Sequence, residues 1–410
     1  MVPNGWKLTS LGEICSGNLQ TGPFGSQLHA HEYMDEGVPV LMPKDLINYR
    51  ANNESAAKIP EHRADDLKKH TLKSGDLLFS RRGDVARFAL IESDYPRSLC
   101  GTGCLKATPS KDHSPLFLSY FLQKNAVKKW LEQNAVGQTM PNMNTAILSE
   151  LPLMVASSRE EEDKIAQILS TWDKAITTTE RLIATSQQQK KALMQQLLTG
   201  KKRLVNPDTG MVFEGNWERH SLSDLVHVDK KSLGKKTPDD FEFKYISLSD
   251  VATGTIGVNL EIHKYSTAPS RARRVLQNGD ILLSTVRPNL KGFAKISEKH
   301  ADCIASTGFS VLTPKKRVSG DYIYQYIFSS HVTGQINSLV VGSNYPAINS
   351  SDVAGLKVYC PTYEEQQKIA SVLTAADKEI ELLEAKLAHL KDEKKALMQQ
   401  LLTGKRRVQI

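Results

Sequence analysis

One stretch of fourteen residues occurs almost verbatim twice. Lys190-Lys-Ala-Leu-Met-Gln-Gln-Leu-Leu-Thr-Gly-Lys-Lys-Arg203 returns as Lys394-Lys-Ala-Leu-Met-Gln-Gln-Leu-Leu-Thr-Gly-Lys-Arg-Arg407, with thirteen of fourteen positions identical. The offset is 204 in a chain of 410, so one unit of roughly two hundred residues is used twice, and a fold for one half is a fold for both. Such a chain suits a two-fold or two-part target.

Further anchors lie at offsets of 204 to 211. Trp6 to Ile14 and Trp217 to Leu225 each open a half, and Val40 to Leu46 answers to Tyr245 to Val251. Gly75-Asp-Leu-Leu-Phe-Ser-Arg81 returns as Gly279-Asp-Ile-Leu-Leu-Ser-Thr285, both short β-type runs opened by a Gly-Asp turn. Thr102-Gly103 and Thr307-Gly308 follow, then Gly137 to Asn144 and Gly342 to Asn349, each pair at an offset of 205.

The expected fold class is mixed α+β, with two similar domains of mixed α/β structure and two long helices in an internal pseudo-two-fold repeat. The expected boundaries are 1–155 and 205–359 for the domains and 156–204 and 360–410 for the helices. Within the first domain the apolar spacing predicts one amphipathic helix from Pro115 to Glu132, with a counterpart from Tyr322 to Phe328 onward. Beyond Pro361 the chain has no proline and one glycine, Gly404, placed to stop a helix. Leu373, Ala376, Ile380, Leu383, Leu387, Leu390, Lys394, Leu397 and Leu401 alternate at spacings of three and four, which is a heptad seam. The first copy repeats it through Leu169, Trp172, Ile176, Thr179, Ile183, Ser186, Lys190, Leu193 and Leu197. One apolar stripe on a helix of about 60 Å needs a partner. The other copy supplies one as an antiparallel coiled coil, a ruler with a domain at each end.

Composition narrows the class. No apolar run reaches membrane-spanning length and Met1 to Trp6 lacks signal-peptide character, so a cytoplasmic protein with no membrane partner is expected. Five scattered cysteines, Cys15, Cys100, Cys104, Cys303 and Cys360, suit buried reduced thiols and give no zinc spacing. The net charge of +8 and pI near 9.0 are compatible with a polyanion.

Motifs for phosphate binding, dinucleotide binding, a nucleophile elbow, zinc proteolysis and amino-methyl transfer are absent, so no catalytic residue and no metal ligand is expected. A nuclease reading from Asp239, Glu242 and Lys244 has acids too close in sequence for successive strands and no counterpart in the other half; a surface loop is the better reading. Instead, polar segments follow equivalent strands. Arg81 and Arg82 in one half, and Arg287, Asn289 and Lys291 in the other, are candidates to read guanine or hold DNA. Gln138, Asn142 and Asn144, with Asn344 and Tyr345, supply groups of the kind that reads adenine. A coiled-coil scaffold with protein-binding end domains is the alternative.

Together these segments resemble a type I restriction-modification specificity subunit. The carriers are the duplicated helix with its Leu-Leu-Thr-Gly ending, the approach Leu356 to Ala370, Gly22-Pro-Phe-Gly-Ser-Gln-Leu28, Gly75 to Gly83 and the run ending at Asn144. The resemblance implies two target recognition domains, each reading half of a bipartite asymmetric double-stranded DNA site, with the helices setting the spacer. It implies a non-catalytic chain that binds no cofactor itself. Two modification subunits using S-adenosylmethionine to methylate adenine, and two restriction subunits using ATP and Mg, would be its partners. The approach to the first helix, 151–164, departs from the pattern: it lacks the proline and the Glu-Gln pair of the second. The Gly-Pro-Phe-Gly-Ser element also has no equivalent near Val226.

Overall fold

Free of proline and rich in strong helix formers, the repeated segments are each one 39-residue helix, Arg159–Leu197 and Tyr363–Leu401. They are seen in a computed structural model that describes residues 2–24, 27–137, 139–341 and 346–410. Acids open both helices, where a carboxylate meets the unpaired N–H groups of the first turn. Gly200 at φ +68° and Gly404 at φ +64° end them in the left-handed region that glycine enters without strain. The N–H of Lys202 then donates to the carbonyl of Gln196, and that of Arg406 to Gln400, at 3.1 and 3.2 Å. Trp217 packs on Gly200 and Trp6 on Gly404, where a Cβ would come within 2.7 Å of Pro3 Cγ.

The chain divides into two compact units, Met1–Thr179 with Lys386–Ile410, and Glu180–Ala385. The boundaries expected from the sequence part domain from helix, whereas each compact unit joins one globular domain to the start of one long helix and the end of the other. The reason is burial. In the first unit Ile165, Ala166, Leu169, Leu401 and Leu402 share a core with Trp6, Leu11, Phe117 and Leu153. In the second, Leu197, Leu198, Ile369 and Leu373 share one with Leu222, Tyr322, Ile323 and Val358. Each such buried leucine contributes about 2 kcal/mol of hydrophobic transfer.

Within each unit the two helix segments run antiparallel: Lys394 meets Asp173 and Arg407 meets Glu161, while Lys190 meets Asp377 and Arg203 meets Glu365. Leu169, Ile183, Leu197, Leu373 and Leu401 of the seam are buried. Ile176, Leu193, Ile380, Leu383, Leu387, Leu390 and Leu397 are half-buried, as befits a seam with solvent along its sides.

The domains share a plan. Lys7–Ser10 pairs antiparallel with Pro152–Val155, as Glu218–Ser221 pairs with Lys357–Cys360, so each domain's two ends close on one another. The first main sheet runs Leu19–Thr21, Cys104–Ala107, Leu77–Ser80, Phe88–Leu90 and then two short strands; the second runs Val226–Val228, Phe309–Pro314, Ile281–Ser284, Phe293–Lys295. A smaller sheet lies in each, built on a parallel pair: Val38–Leu41 with Leu99–Cys100, and Glu242–Ile246 with Ile304–Ser306. Here the units differ, because the second adds the edge strand Ala272–Val275.

The single helix expected from Pro115 to Glu132 is two, Pro115–Leu122 and Asn125–Asn134, and its counterpart is Gly320–Ile327 and Ser330–Leu339. Lys124 and Ser329 stand at the breaks with extended backbone, and Ser329 caps the second helix by accepting from the Val332 N–H. The apolar spacing continues through the break and so conceals it.

Candidate nucleic-acid interface

The polar segments expected to read DNA gather at one end of the main sheet in each unit, held by a matching set of backbone hydrogen bonds. In the first unit the Arg81 N–H donates to Gly103 at 2.7 Å, the Met143 N–H to Arg81 at 2.8 Å and the Gly83 N–H to Pro141 at 3.1 Å. In the second, Thr285 donates to Gly308 at 2.8 Å, Ile348 to Thr285 at 2.9 Å and Arg287 to Pro346 at 2.7 Å. The hydroxyls of Ser80 and Ser284 each donate to the carbonyl two residues on. A second segment joins the first through antiparallel bridges, Arg82 with Asn142 and Val286 with Ala347, and Asn142 and Ala347 also bridge Val136 and Val341.

This frame equates Arg81 with Thr285, Arg82 with Val286 and Gly83 with Arg287. The arginines therefore do not occupy matching positions, in keeping with the alignment of Arg81 with Thr285. They are set at different places on one scaffold. Arg82 and Arg287 are exposed. Arg287 sits at φ +49°, a conformation that Gly83 adopts at φ +74° in the other unit. A bulky residue held there is strained, and strain of this kind collects at functional sites. Arg81 is half-buried with its guanidinium 5.9 Å from the centre of the Phe24 ring, so it braces the tip more than it projects from it.

The other candidates separate on the same grounds. Asn142 lies in the bridged loop beside Arg82, and Asn289 is exposed in the short turn Pro288–Leu290 after Arg287. Asn144 has a structural part: its side-chain oxygen accepts from the Ile147 N–H at 2.8 Å and caps the helix Thr145–Ser149. Asn349 does the same for Asp352. Lys291 reaches back to the carbonyl of Phe328 at 3.4 Å, near a helix end that favours a cation. Gln138, Asn344 and Tyr345 lie outside the described residues. Beside these polar groups Val136 and Val341 are 63% and 77% exposed, and Phe24 is 54% exposed; the valines were not singled out from the sequence. Apolar contacts of this kind suit thymine methyl groups. The signal for the valines was present, since each stands just before the glycine of the repeated loop.

Below the tips, each unit ties helix to domain in the same way. Arg407 clasps the buried Glu161 with two guanidinium nitrogens, at 2.5 and 2.8 Å, and also donates to Ser157 and to the carbonyl of Asn4. Arg203 clasps the buried Glu365 at 2.7 Å twice and donates to the carbonyls of Glu214 and Gly215. Burial opposes ionisation of Glu161, yet its bonds to Arg407 and Ser157 outweigh that and hold its carboxyl below the usual value. Beside it Glu162 accepts from the Ser114 N–H at 2.7 Å, as Gln366 accepts from Ser319 at 3.1 Å. The departure in the first approach is thus one of residue type, since Glu161 and Glu162 take the parts of Glu365 and Gln366.

Among the described residues no group of His, Cys, Asp or Glu could hold a metal ion. Glu242 of the nuclease reading pairs with Lys264 at 3.7 Å on the open surface, and Asp239 and Lys244 are exposed. The five cysteines are free and buried, and burial pushes the thiol of Cys15 up to about 12. Among the described residues no helix is long and apolar enough to cross a membrane.

A duplicated domain with variable tips on a fixed frame is the build of a two-part DNA reader, and comparison with known proteins agrees. The family model for the type I restriction modification DNA specificity domain matches residues 3–185 and 214–392, and the chain belongs to that family. It is similar to a provisionally named type I restriction enzyme MjaX specificity subunit of Methanocaldococcus jannaschii, with 26% identity over 99% of this chain and 95% of that protein. The MjaVIII specificity subunit of the same organism is 25% identical over 72% of this chain and 70% of that protein. The fold is shared with the S subunit of a type I restriction-modification system from M. genitalium, at a TM-score of 0.61 and 14% identity, covering 98% of this chain and 97% of that one. The scaffold alternative gains no support.

Proposed function

We propose that each unit reads one half of a bipartite, asymmetric site in double-stranded DNA, through residues 81–84 with 136, 137 and 139–142 in the first and 285–291 with 341, 346 and 347 in the second. The observation that carries this is the equivalence of frames. Matching hydrogen bonds hold Arg82 where the other unit has Val286, and Gly83 where the other has Arg287. One backbone with different side chains at the same places reads different bases.

The paired helices set the distance between the half-sites and carry the surface on which partner subunits dock. Those partners are two modification subunits that methylate adenine with S-adenosylmethionine, and two restriction subunits that use ATP and Mg. The chain works in the cytoplasm, holds no cofactor and contributes recognition. The test is a complex assembled with an Arg82→Ala or Arg287→Ala chain. Either change should weaken specific binding by about 1–3 kcal/mol and relax one base position in one half-site. Unaltered sequence preference in both variants would remove these loops from the reading surface.

A further inference from the structure

The two units differ in charge where the smaller sheet meets the reading tip. In the second unit the carbonyl of Arg271, just before the edge strand Ala272–Val275, accepts from the Thr307 N–H at 2.8 Å; Thr307 adjoins Gly308, which accepts from Thr285 at the start of the reading loop. Arg271 thus lies on the rim of the tip. From there a cationic strip follows the sheet edge. The Leu233 N–H donates to Arg273 at 2.8 Å and that of Val275 to Lys231 at 3.2 Å, so the loop that carries Lys230, Lys231, Lys235 and Lys236 is laid along the edge strand. Residues 230–236 and 266–276 carry seven Lys and Arg side chains and no acid.

Two of these cations are committed elsewhere. Arg274 pairs with Asp229 at 2.8 Å, and Arg273 lies 4.8 Å from the centre of the Tyr265 ring. The other five, Arg271 and the four lysines, are exposed, and among the described residues none is ion-paired. The matching stretches of the first unit, 25–31 and 61–71, carry three cations and three acids. There Arg63 is held by Glu32 and Asp66, and Glu61 and Asp65 take Arg97.

Resting on the reading that the tips face DNA, we propose that this strip is a phosphate-tracking surface, so that the second unit supplies most of the sequence-independent affinity of the chain. An edge strand and a loop with five exposed cations outside any ion pair among the described residues, continuous with a base-reading tip, fit the sugar-phosphate backbone running out of the half-site. Each neutralised phosphate releases counterions, and the contribution shows as a salt dependence without base preference. The first unit, where Arg63 is paired internally and acids equal cations in number, relies more on its tip.

The experiment uses the chain assembled with its modification subunits and follows binding to a random-sequence duplex and to the cognate duplex between about 50 and 200 mM salt. A variant with Lys230→Gln, Lys231→Gln, Lys235→Gln, Lys236→Gln and Arg271→Gln should bind both duplexes more weakly by the same factor, tenfold or more. Its log–log salt slope should flatten by about 0.9 for each phosphate that is no longer neutralised. The matching variant with the four lysines changed to Arg should keep the slope, and Lys58→Gln with Lys68→Gln in the first unit should move it little. An unchanged slope in the Gln variant overturns the proposal. So does a Gln variant that aggregates while its monomeric fraction binds normally, because the lysines would then only guard a sheet edge. A wild-type complex with no preference for any cognate duplex would instead sink the underlying reading of the tips.

Discussion

The paired clasps of Arg407 on Glu161 and Arg203 on Glu365 show what the invariant ending of the repeat is for. Each guanidinium satisfies a buried carboxylate at a helix start and two further oxygens of the same unit. Arg407→Ala should cost about 1–2 kcal/mol in denaturant unfolding, below the range for a fully buried pair because Arg407 is partly solvated. Since the folded carboxyl of Glu161 is held below its ordinary value, its contribution is complete above the unfolded pKa of about 4.3. It is lost as pH falls through the lower folded value, and Glu161→Gln should remove that acid-side loss. From the sequence, Lys-Arg-Arg after Gly404 reads as dipole-matched charge or a phosphate contact, because its partner Glu161 lies 246 residues away. The basic character of these segments was legible, but not which arginine emerges, since Arg81 directly after the buried strand is half-buried. The cap at Asn144 and the return of Lys291 to Phe328 were not, because the same polar atom serves a turn or a ligand with no change in sequence.

At the scale of elements, the seam lysines are not idle polar breaks. Lys394 bonds Asp173 at 2.6 Å, and Asp173 also accepts from the hydroxyl of Tyr120 in the domain helix. Lys190 bonds Asp377 in the other unit, where Gln325 stands in for the tyrosine and donates to Asp377 at 2.8 Å. Gln325 is almost wholly buried, and its side-chain oxygen has no partner among the described residues. Asp377→Ala should therefore destabilise the second unit more than Lys190→Met, by about 1–2 kcal/mol in thermal or urea unfolding, because it also strands the Gln325 amide. Equal effects would show that the node is held by the lysine alone. Leu197→Ala and Leu401→Ala, each deleting a fully buried seam side chain, should cost about 2–5 kcal/mol apiece. The seam itself was legible, as its three-four spacing survives polar insertions. The break at Lys124 was not, and neither was the sharing of each helix between two cores, since both depend on what lies beneath the stripe.

For the whole molecule, the repeat specifies one construction used twice, and the differences between the copies specify what each copy recognises. The strand order of the main sheets, the end-closing strand pairs and the clasps all recur, whereas the tips and the charge of the smaller sheet diverge. Duplication made the architecture legible in the sequence. Which side chains project was not, because an offset of one residue between Arg82 and the position of Arg287 is decided by hydrogen bonds at a strand end. Reading of one half-site by each unit is tested most directly by sequencing the methylated sites of a host that carries the complete system, with residues 1–155 replaced by the same domain of another specificity subunit. One half-site should change while the other half-site and the spacing between them stay as they were. A methylation pattern left unchanged by the exchange would contradict a division of the target between the two units.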